Sequence, residues 1–222
     1  NLNCSFFFFF MLLKKMSESI IIKEITNSLT ADDFIFLDDI LKKENSDSIL
    51  ANLNKDLLIR YFQILINSKN IFLFFCKFDG KNVGYAIFTR KPSFLIDEFK
   101  ELKYLILFTL LSNFKFKTLI NILLSILSLD LLFLSKENKK IINENLNLNL
   151  LAIKSEFQSK GIGKKFIDEA ISYLKINNGC KFITVETNNN RTGDFYKKKL
   201  NFCYIGKKIR FYKNLNIFCK DL

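Results

Sequence analysis

One segment constrains the fold of this chain more than any other: a strand pattern, a glycine-rich loop and a helix pattern follow one another between residues 146 and 175. Asn and Leu alternate from Leu146, and the chain then stays apolar up to Ile153, which indicates a strand with one buried face. From Gly161 onward, apolar residues recur at helical spacing. The segment predicts an α/β arrangement in which the loop joins the carboxyl end of a strand to the amino end of a helix.

The loop itself has the composition of an anion-binding site. A glycine-rich loop at a helix start presents unpaired backbone N–H groups, and the helix dipole favours anions there. Glycines carry no Cβ, so a ligand can approach the backbone closely, and the neighbouring lysines add positive charge. We therefore predict a pyrophosphate-binding loop, although a plain helix-entry turn remains the alternative. The loop and the lysine after it are Gln158, Ser159, Lys160, Gly161, Ile162, Gly163 and Lys164.

Two common phosphate-binding patterns do not fit this loop. A Walker loop requires Gly five residues before Gly163, where the chain has Gln158, and Ser or Thr after Lys164, where it has Lys165. A dinucleotide fingerprint requires a small residue at the position of Phe166. The pattern that remains is Gln-x-x-Gly-x-Gly after a strand.

Composition narrows the choice of partners. The net charge is +12, and residues 151–222 hold 15 Lys/Arg against 6 Asp/Glu. Such an excess attracts nucleic acid, anionic membranes or phosphorylated ligands, but no basic run accompanies a nucleic-acid-binding motif, so no nucleic-acid partner is expected.

The chain has no His, and its five Cys lack metal-ligand spacing, so no metal site is expected. The Cys residues are interpreted as reduced, mostly core-packing residues of a cytoplasmic protein.

The remaining patterns predict a single domain over residues 17–222. A capping pair, Thr30 and Asp33, opens a helix, and Asp79-Gly80 is a hairpin turn signal. Asn178-Gly179 ends the helix that follows the loop. The other predicted elements are strands at 20–25, 72–78, 83–89 and 182–186, helices at about 49–66 and 191–200, and a final strand or hairpin about Gly206 over 202–212.

Two segments stand apart from this domain. Residues 1–16 are a doubtful extension, since Met11 or Met16 could be the natural start. Residues 92–145 are predicted to be a helical insert, and its stretch 104–134 is almost entirely apolar but interrupted by charges, which disfavours a membrane-spanning helix. We interpret 104–134 as a helical pair packed on the domain, with peripheral membrane contact or an apolar substrate wall as alternatives.

The loop over residues 158–163 resembles the cofactor loop of the GNAT family of N-acetyltransferases, which reads Gln/Arg-x-x-Gly-x-Gly/Ala. A second family motif, in which Tyr follows Asn by six residues before a Gly-Phe pair, is similar to Asn190 and Tyr196 here. Gly193 replaces the usual Ala, and Asn201 replaces the Gly before Phe202. The resemblance covers about residues 18–91 and 146–213. It implies the α/β acyl-CoA N-acyltransferase fold, with a central mixed sheet of six or seven strands flanked by helices.

The resemblance also implies a chemistry for these residues. In the family, central parallel strands splay apart around the pantetheine arm of acetyl-CoA, and backbone groups of the strand before the loop bond that arm; here these are Leu151, Ala152 and Ile153. Tyr196 would protonate the departing thiolate, and Asn190 would hydrogen-bond the cofactor. For the general base, Glu186 at the end of the next strand is a candidate, and proton removal through water is equally open. As plain alternatives, Tyr196 would be a core residue and Gln158 a solvated loop residue.

The expected function is acyl transfer, with acetyl the expected group, from acyl-CoA to a primary amine by direct attack in a ternary complex. Because the insert resembles that of family members associated with surface-polysaccharide synthesis, an amino sugar is one predicted acceptor. The alternative is a non-catalytic domain of the same fold that binds a membrane surface or protein partner through residues 104–134. The sequence indicates no oligomeric state.

Overall fold

The computed structural model describes residues 20–25, 28–46, 48, 50–90, 120, 131–132, 134–209 and 214–222. Its strands are β1 Ile20–Glu24, β2 Ile71–Phe78, β3 Lys81–Thr89, β4 Leu146–Ile153, β5 Phe182–Thr187, β6 Cys203–Lys208 and β7 Leu215–Asp221. Its α-helices are α1 Ala31–Glu44, α2 Lys55–Asn67, α3 Lys136–Glu144, α4 Ile162–Asn178 and α5 Asn190–Asp194. Short 3₁₀ turns at Leu50–Asn52 and Ser155–Phe157 and a π-helix at Phe195–Lys199 complete the described elements.

All seven described strands form one mixed sheet in the order β1-β2-β3-β4-β5-β7-β6. Every neighbouring pair is antiparallel except β4 and β5, which are parallel and are joined through α4. The prediction of a mixed sheet of six or seven strands flanked by helices is therefore confirmed, and the one parallel pair lies at its centre.

Helices cover both faces of this sheet. On one face, α4 contributes to an apolar cluster with strands β2 to β5 and β7, here called the α4-side cluster, whose most deeply buried helix residues are Phe166, Ile167, Ala170 and Leu174. On the opposite face, α1 and α2 pack on β2 and β3 around Leu37, Leu41, Phe62 and Phe75. A smaller cluster on β7 joins Ile142 of α3 to Ile217, Leu131 and Leu134. These two clusters on the second face are separate from each other.

Local signals set the helix boundaries. Thr30 and Asp33 form the predicted capping box: the Thr30 Oγ accepts from the Asp33 amide at 3.2 Å, and the Asp33 carboxylate accepts from the Thr30 amide at 3.0 Å. The prediction of one helix from residue 49 to 66 was wrong in its first turn. The Asn54 side chain accepts from the Leu57 amide at 2.9 Å and caps α2, so the residues before it form a 3₁₀ turn.

The two glycine turn signals had different outcomes. Asp79 and Gly80 both have positive φ (48° and 75°) and connect β2 to β3, as predicted. For residues 202–212, the predicted strand is confirmed as β6. The alternative of a hairpin about Gly206 was wrong, because Gly206 lies within β6, beside a register shift, and pairs with Ile217. Its φ of 152° and the Leu134 side chain, 2.2 Å from where a Cβ would stand, explain the glycine.

The predicted helix over residues 191–200 is present but divided. α5 covers its first turn, and the π-helix Phe195–Lys199 follows. A π-helix accommodates one extra residue within a helical segment, which explains why a regular 3.6-residue pattern does not describe it. The predicted end of α4 is confirmed, since Gly179 caps it in the left-handed conformation with φ 61°.

Several predictions fall on segments outside the described residues. Residues 1–16 are among these, as are nearly all of 104–134, so the extension and the nature of the insert stay predictions. In the described ranges, no helix has the length and apolar character needed to cross a membrane. Cys76, Cys180, Cys203 and Cys219 are free thiols, as expected.

We expect Gly84→Ala to lower the free energy of unfolding by about 1–3 kcal/mol. A Cβ at Gly84 would stand 2.3 Å from Ile153 Cδ1 and 2.7 Å from the backbone oxygen of Ala152, so β3 and β4 would have to move apart. Urea unfolding measures the change. Gly163→Ala is the matched control, because its Cβ would meet no atom closer than 3.7 Å. Equal stability of the two variants would show that β3 and β4 tolerate separation at this point.

Candidate functional site

The central parallel pair of the sheet separates partway along its length. Pairing between β4 and β5 joins only Leu146–Leu148 to Ile183–Val185. Both strands continue, β4 to Ile153 against β3 and β5 to Thr187 against β7. Each strand is thus held by its outer neighbour while the inner edges part, and a gap opens between the carboxyl ends of β4 and β5.

The register shows which backbone groups of β4 face this gap. The Lys154 amide donates to the Val83 oxygen at 2.9 Å, and Tyr85 lies opposite Ala152. Since hydrogen-bonded and non-hydrogen-bonded pairs alternate along an antiparallel ladder, Ala152 bonds to β3, whereas the N–H and C=O groups of Leu151 and Ile153 point toward the gap. Three residues were predicted to offer backbone groups here. The backbone N–H and C=O groups of Leu151 and Ile153 do face the gap, whereas those of Ala152 face β3.

A β-bulge sets this orientation. Phe88 pairs with Leu148 and Ile87 with Leu150, which leaves Asn149 as the extra residue of β4. The Asn149 side-chain amide donates to the Thr89 hydroxyl. A bulge shifts the side-chain alternation by one, so Leu151, like Leu148, faces the α4-side cluster. The bulge was not predicted from the sequence, where its one signal is the break in the Asn-Leu alternation after Asn149.

The loop after β4 leaves a run of backbone amides without acceptors. Ser159 (φ 59°) and Gly161 (φ 80°) adopt left-handed conformations, and α4 begins at Ile162 with no side-chain cap. The first helical bond is donated by the Lys165 amide to the Gly161 oxygen at 3.1 Å. Within the described chain, the amides of residues 159–164 donate no hydrogen bond. These amides lie at a helix amino terminus, which favours an anion.

Gln158 braces the loop and is not merely solvated. Its Nε2 donates to the Ile153 oxygen at 2.8 Å and to Glu44 Oε2 at 3.1 Å. The other oxygen of Glu44 accepts from the Ser155 amide at 2.9 Å. One carboxylate at the end of α1 thus holds the start of the loop against β4, a contact between distant residues that the sequence analysis did not predict.

The cations around the loop differ in how far they are already paired. Lys164 Nζ lies 2.7 Å from Asp168 Oδ2, whose other oxygen is 3.6 Å from Lys220 Nζ. Lys160 Nζ lies over the Phe157 ring, 5.4 Å from its centroid. Arg191 Nη2 donates to Ser159 Oγ at 3.3 Å. Positive charge at the loop therefore comes from Lys160 and Lys164 on the loop and the start of α4, and from Arg191 on the segment after β5.

The segment after β5 meets the loop after β4. A Cβ at Gly163 would lie 3.7 Å from both Ile153 Cγ1 and Phe195 Cζ, so this glycine lies between the end of β4 and the π-helix. The helix cap is formed by Asn189, whose side chain accepts from the amides of Arg191 (2.8 Å) and Thr192 (3.3 Å). Asn190 is exposed. The two motifs that the sequence analysis singled out are thus brought together in space.

Tyr196 is packed in the α4-side cluster close to the gap. Only 4% of its surface is exposed, and its ring contacts Phe195, Phe202 and Phe218 with centroid separations of 5.5, 5.6 and 6.5 Å. Burial raises the pKa of the Tyr196 phenol above its ordinary value. Its hydroxyl makes no hydrogen bond with a described residue. The phenol therefore keeps its proton, and no described residue accepts a hydrogen bond from its O–H group.

Glu186 lies on the other face of the sheet. Val185 packs in the α4-side cluster, so by strand alternation the Glu186 side chain points away from it. Glu186 Oε1 lies 3.1 Å from Lys208 Nζ of β6, and the two side chains are 18% and 14% exposed. Nearby, the Asn147 side-chain amide donates to Thr184 Oγ1 at 2.9 Å. A strip of polar groups thus separates the two apolar clusters on this face.

Comparison with known proteins connects this part of the chain to a family. Residues 138–202 match the model of the Acetyltransferase (GNAT) family, a segment that contains β4, the loop, α4, β5 and Tyr196. A search of curated proteins found no match. No cluster of possible metal ligands occurs among the residues described.

Solved acetyltransferases share the fold. The acetyltransferase of Thermus thermophilus aligns with a TM-score of 0.56 at 13% identity, covering 92% of this chain and 99% of that one. The polyamine N acetyltransferase of Drosophila melanogaster gives 0.56 at 10% identity, over 92% and 100%. Arabidopsis thaliana NAA60 in complex with acetyl-CoA gives 0.51 at 15% identity, over 92% and 99%.

The seven-stranded mixed sheet with its flanking helices is the GNAT acyl-CoA N-acyltransferase fold. The family match and the shared fold together indicate that the chain is an acyl-CoA-dependent N-acyltransferase.

We expect Gln158→Ala to lower the free energy of unfolding by about 1 kcal/mol, because it removes the bonds to Ile153 and Glu44. Chemical unfolding measures the loss. Gln63→Ala, at an exposed position of α2, makes the same change without such contacts and should leave stability unchanged or raise it slightly. A Gln158→Ala variant as stable as the control would mean that the brace contributes nothing to the loop.

Proposed function

We propose that this chain transfers an acetyl group from acetyl-CoA to a primary amine, by direct attack of the amine on the thioester in a ternary complex. The observation that carries the proposal is the gap between β4 and β5, which lies beside a loop whose amides at 159–164 donate no hydrogen bond within the described chain. An extended thioester arm has the shape to lie in the gap, and the pyrophosphate at its end has the negative charge to bind the loop amides.

The loop residues predicted from the sequence would hold the phosphates of the cofactor. The amides of residues 159–164 and the positive end of the α4 dipole supply donors for an anion. Lys160 and Lys164 add charge, and Gly161 and Gly163 leave the backbone open to approach. Gln158 contributes indirectly, since its side chain fixes the loop to β4.

The inner edge of β4 would hold the pantetheine arm. The backbone groups of Leu151 and the N–H of Ile153 face the gap, whereas the Ile153 C=O is occupied by Gln158. An N–H at this edge can hydrogen-bond the thioester oxygen and stabilise the charge that develops there during attack. Asn190, exposed at the start of α5, is proposed to bond the same arm from the β5 side.

Tyr196 would assist departure of the thiol as a hydrogen-bond donor. The thiol of the departing CoA has a pKa of roughly 8.5 if it behaves like the side chain of cysteine. Because burial raises the pKa of the Tyr196 phenol, complete proton transfer to such a thiolate is uphill. The phenol therefore stabilises the charge on the departing sulfur through its O–H, while the proton lost by the amine balances the one gained by the thiol.

The attacking amine would approach from the opposite face of the sheet, where Glu186 lies. Lys208 occupies Glu186 Oε1, so Oε2 is the oxygen available to accept a proton from the amine. Water offers a second route for this proton. The placement of Tyr196 and Glu186 on opposite faces would let the thiol leave on one side while the amine enters on the other.

The acceptor is proposed only as a primary amine. The Drosophila enzyme named above forms N-acetylagmatine, which makes agmatine a reasonable first test compound. The amino-sugar prediction, the proposed membrane contact and the non-catalytic alternative all rest on the 92–145 insert. Most of this insert lies outside the described residues. A cytoplasmic location also stays a prediction.

We expect acetyl-CoA to be consumed with release of free thiol when the protein is supplied with agmatine or glucosamine. Tyr196→Phe should lower kcat by about 10²-fold, because it deletes the donor to the departing sulfur. Tyr204→Phe, an identical change at a tyrosine that is 49% exposed on β6, is the control and should keep wild-type kcat. Full turnover by Tyr196→Phe would remove Tyr196 from the mechanism, and the absence of both CoA binding and turnover in the wild type would overturn the proposal.

A further inference from the structure

Arg191 lies at the loop although it belongs to a different segment. Its backbone is fixed by the Asn189 side chain, which accepts from the Arg191 amide at 2.8 Å. Its guanidinium Nη2 then reaches Ser159 Oγ at 3.3 Å. Ser159 is itself held in a left-handed conformation, with φ 59°, at the start of the run of unpaired amides. The contact therefore places a guanidinium at the edge of the anion-binding loop.

The guanidinium keeps most of its hydrogen-bonding capacity. Arg carries five N–H donors in a planar fork that matches two oxygens of a phosphate, and the bond to Ser159 uses one of them. The carboxylates of Asp168 on α4 and Asp194 on α5 have other partners: Asp168 is paired with Lys164 and Lys220, and Asp194 with Lys198. Within the described ranges, no carboxylate neutralises Arg191.

We infer that Arg191 binds a phosphate group of the cofactor and makes the enzyme select thioesters of phosphorylated carriers over phosphate-free ones. This inference rests on the proposed function. Arg191 would extend the anion site from the loop amides to the segment after β5, so that both strand ends bordering the gap contribute to one phosphate. The pyrophosphate and the 3′-phosphate of CoA share this chemistry, and the experiment separates them.

The test compares KM and kcat for acetyl-CoA, acetyl-dephospho-CoA and S-acetyl-pantetheine in the wild type and in Arg191→Ala. Loss of a charge-assisted hydrogen bond should raise KM for acetyl-CoA about tenfold or more, leave kcat nearly unchanged, and leave kcat/KM for S-acetyl-pantetheine unchanged. A merely structural role would lower activity with all three thioesters. If the penalty persists with acetyl-dephospho-CoA, the contact is to the pyrophosphate; if it disappears, the contact is to the 3′-phosphate.

Two further variants sharpen the result. Arg191→Lys retains the charge but not the fork, and should recover part of the lost affinity. Lys181→Ala removes one positive charge at the opposite end of β5, and should behave as the wild type. An unchanged KM for acetyl-CoA in Arg191→Ala, or an equal loss with S-acetyl-pantetheine, would overturn the inference.

Calorimetry with CoA separates a failure of the proposed function from a failure of the Arg191 inference. A wild type that does not bind CoA rejects the proposed function, whereas equal binding by wild type and Arg191→Ala rejects only the inference.

Discussion

The separation of β4 from β5 is the constraint on which the site depends. Two parallel strands would normally remain paired, because an unpaired backbone edge inside a protein is costly. Here only three residues of each strand pair, and the outer ladders to β3 and β7 hold the remainder apart. The inner edge of β4 therefore keeps N–H and C=O groups available, and these groups need either water or a ligand.

A second set of unsatisfied donors lies next to the first. The amides of residues 159–164 face the exposed end of α4, where water can satisfy them in the free protein at modest cost. Their positions are nevertheless fixed by the Glu44 and Gln158 brace and by the left-handed conformation of Ser159 and Gly161. A ligand that fits the loop therefore meets donors that are already oriented, and little ordering free energy is lost on binding.

The features predicted correctly from the sequence are local ones. The Thr30–Asp33 box, the Asp79-Gly80 turn and the glycine cap of α4 each depend on residues within one turn of chain. Strand β4, the loop and α4 followed from the hydrophobic pattern, whereas the anion-binding role of the loop stays a prediction.

The features that were missed depend on contacts between distant parts of the chain. The bulge at Asn149 requires β3 as its partner, and the brace on Gln158 requires Glu44 of α1, 114 residues away. Tyr196 of the π-helix packs near Phe218 of β7, and Gly206 of β6 lies against Leu134; neither contact is visible in the local sequence. The spacing to Tyr196 singled out Asn190, but it did not predict that the neighbouring Asn189 caps α5 while Asn190 is exposed.

The most direct test of the account is the backbone amide spectrum of the ¹⁵N-labelled protein during titration with CoA. We expect saturable shifts centred on the amides of residues 159–164, together with Leu151 and Ile153, and little change on the outer ladder at Tyr85 and Ala152. Shifts that avoid the loop, or the absence of saturable shifts at millimolar CoA, would contradict the claim that these unpaired amides form the cofactor site.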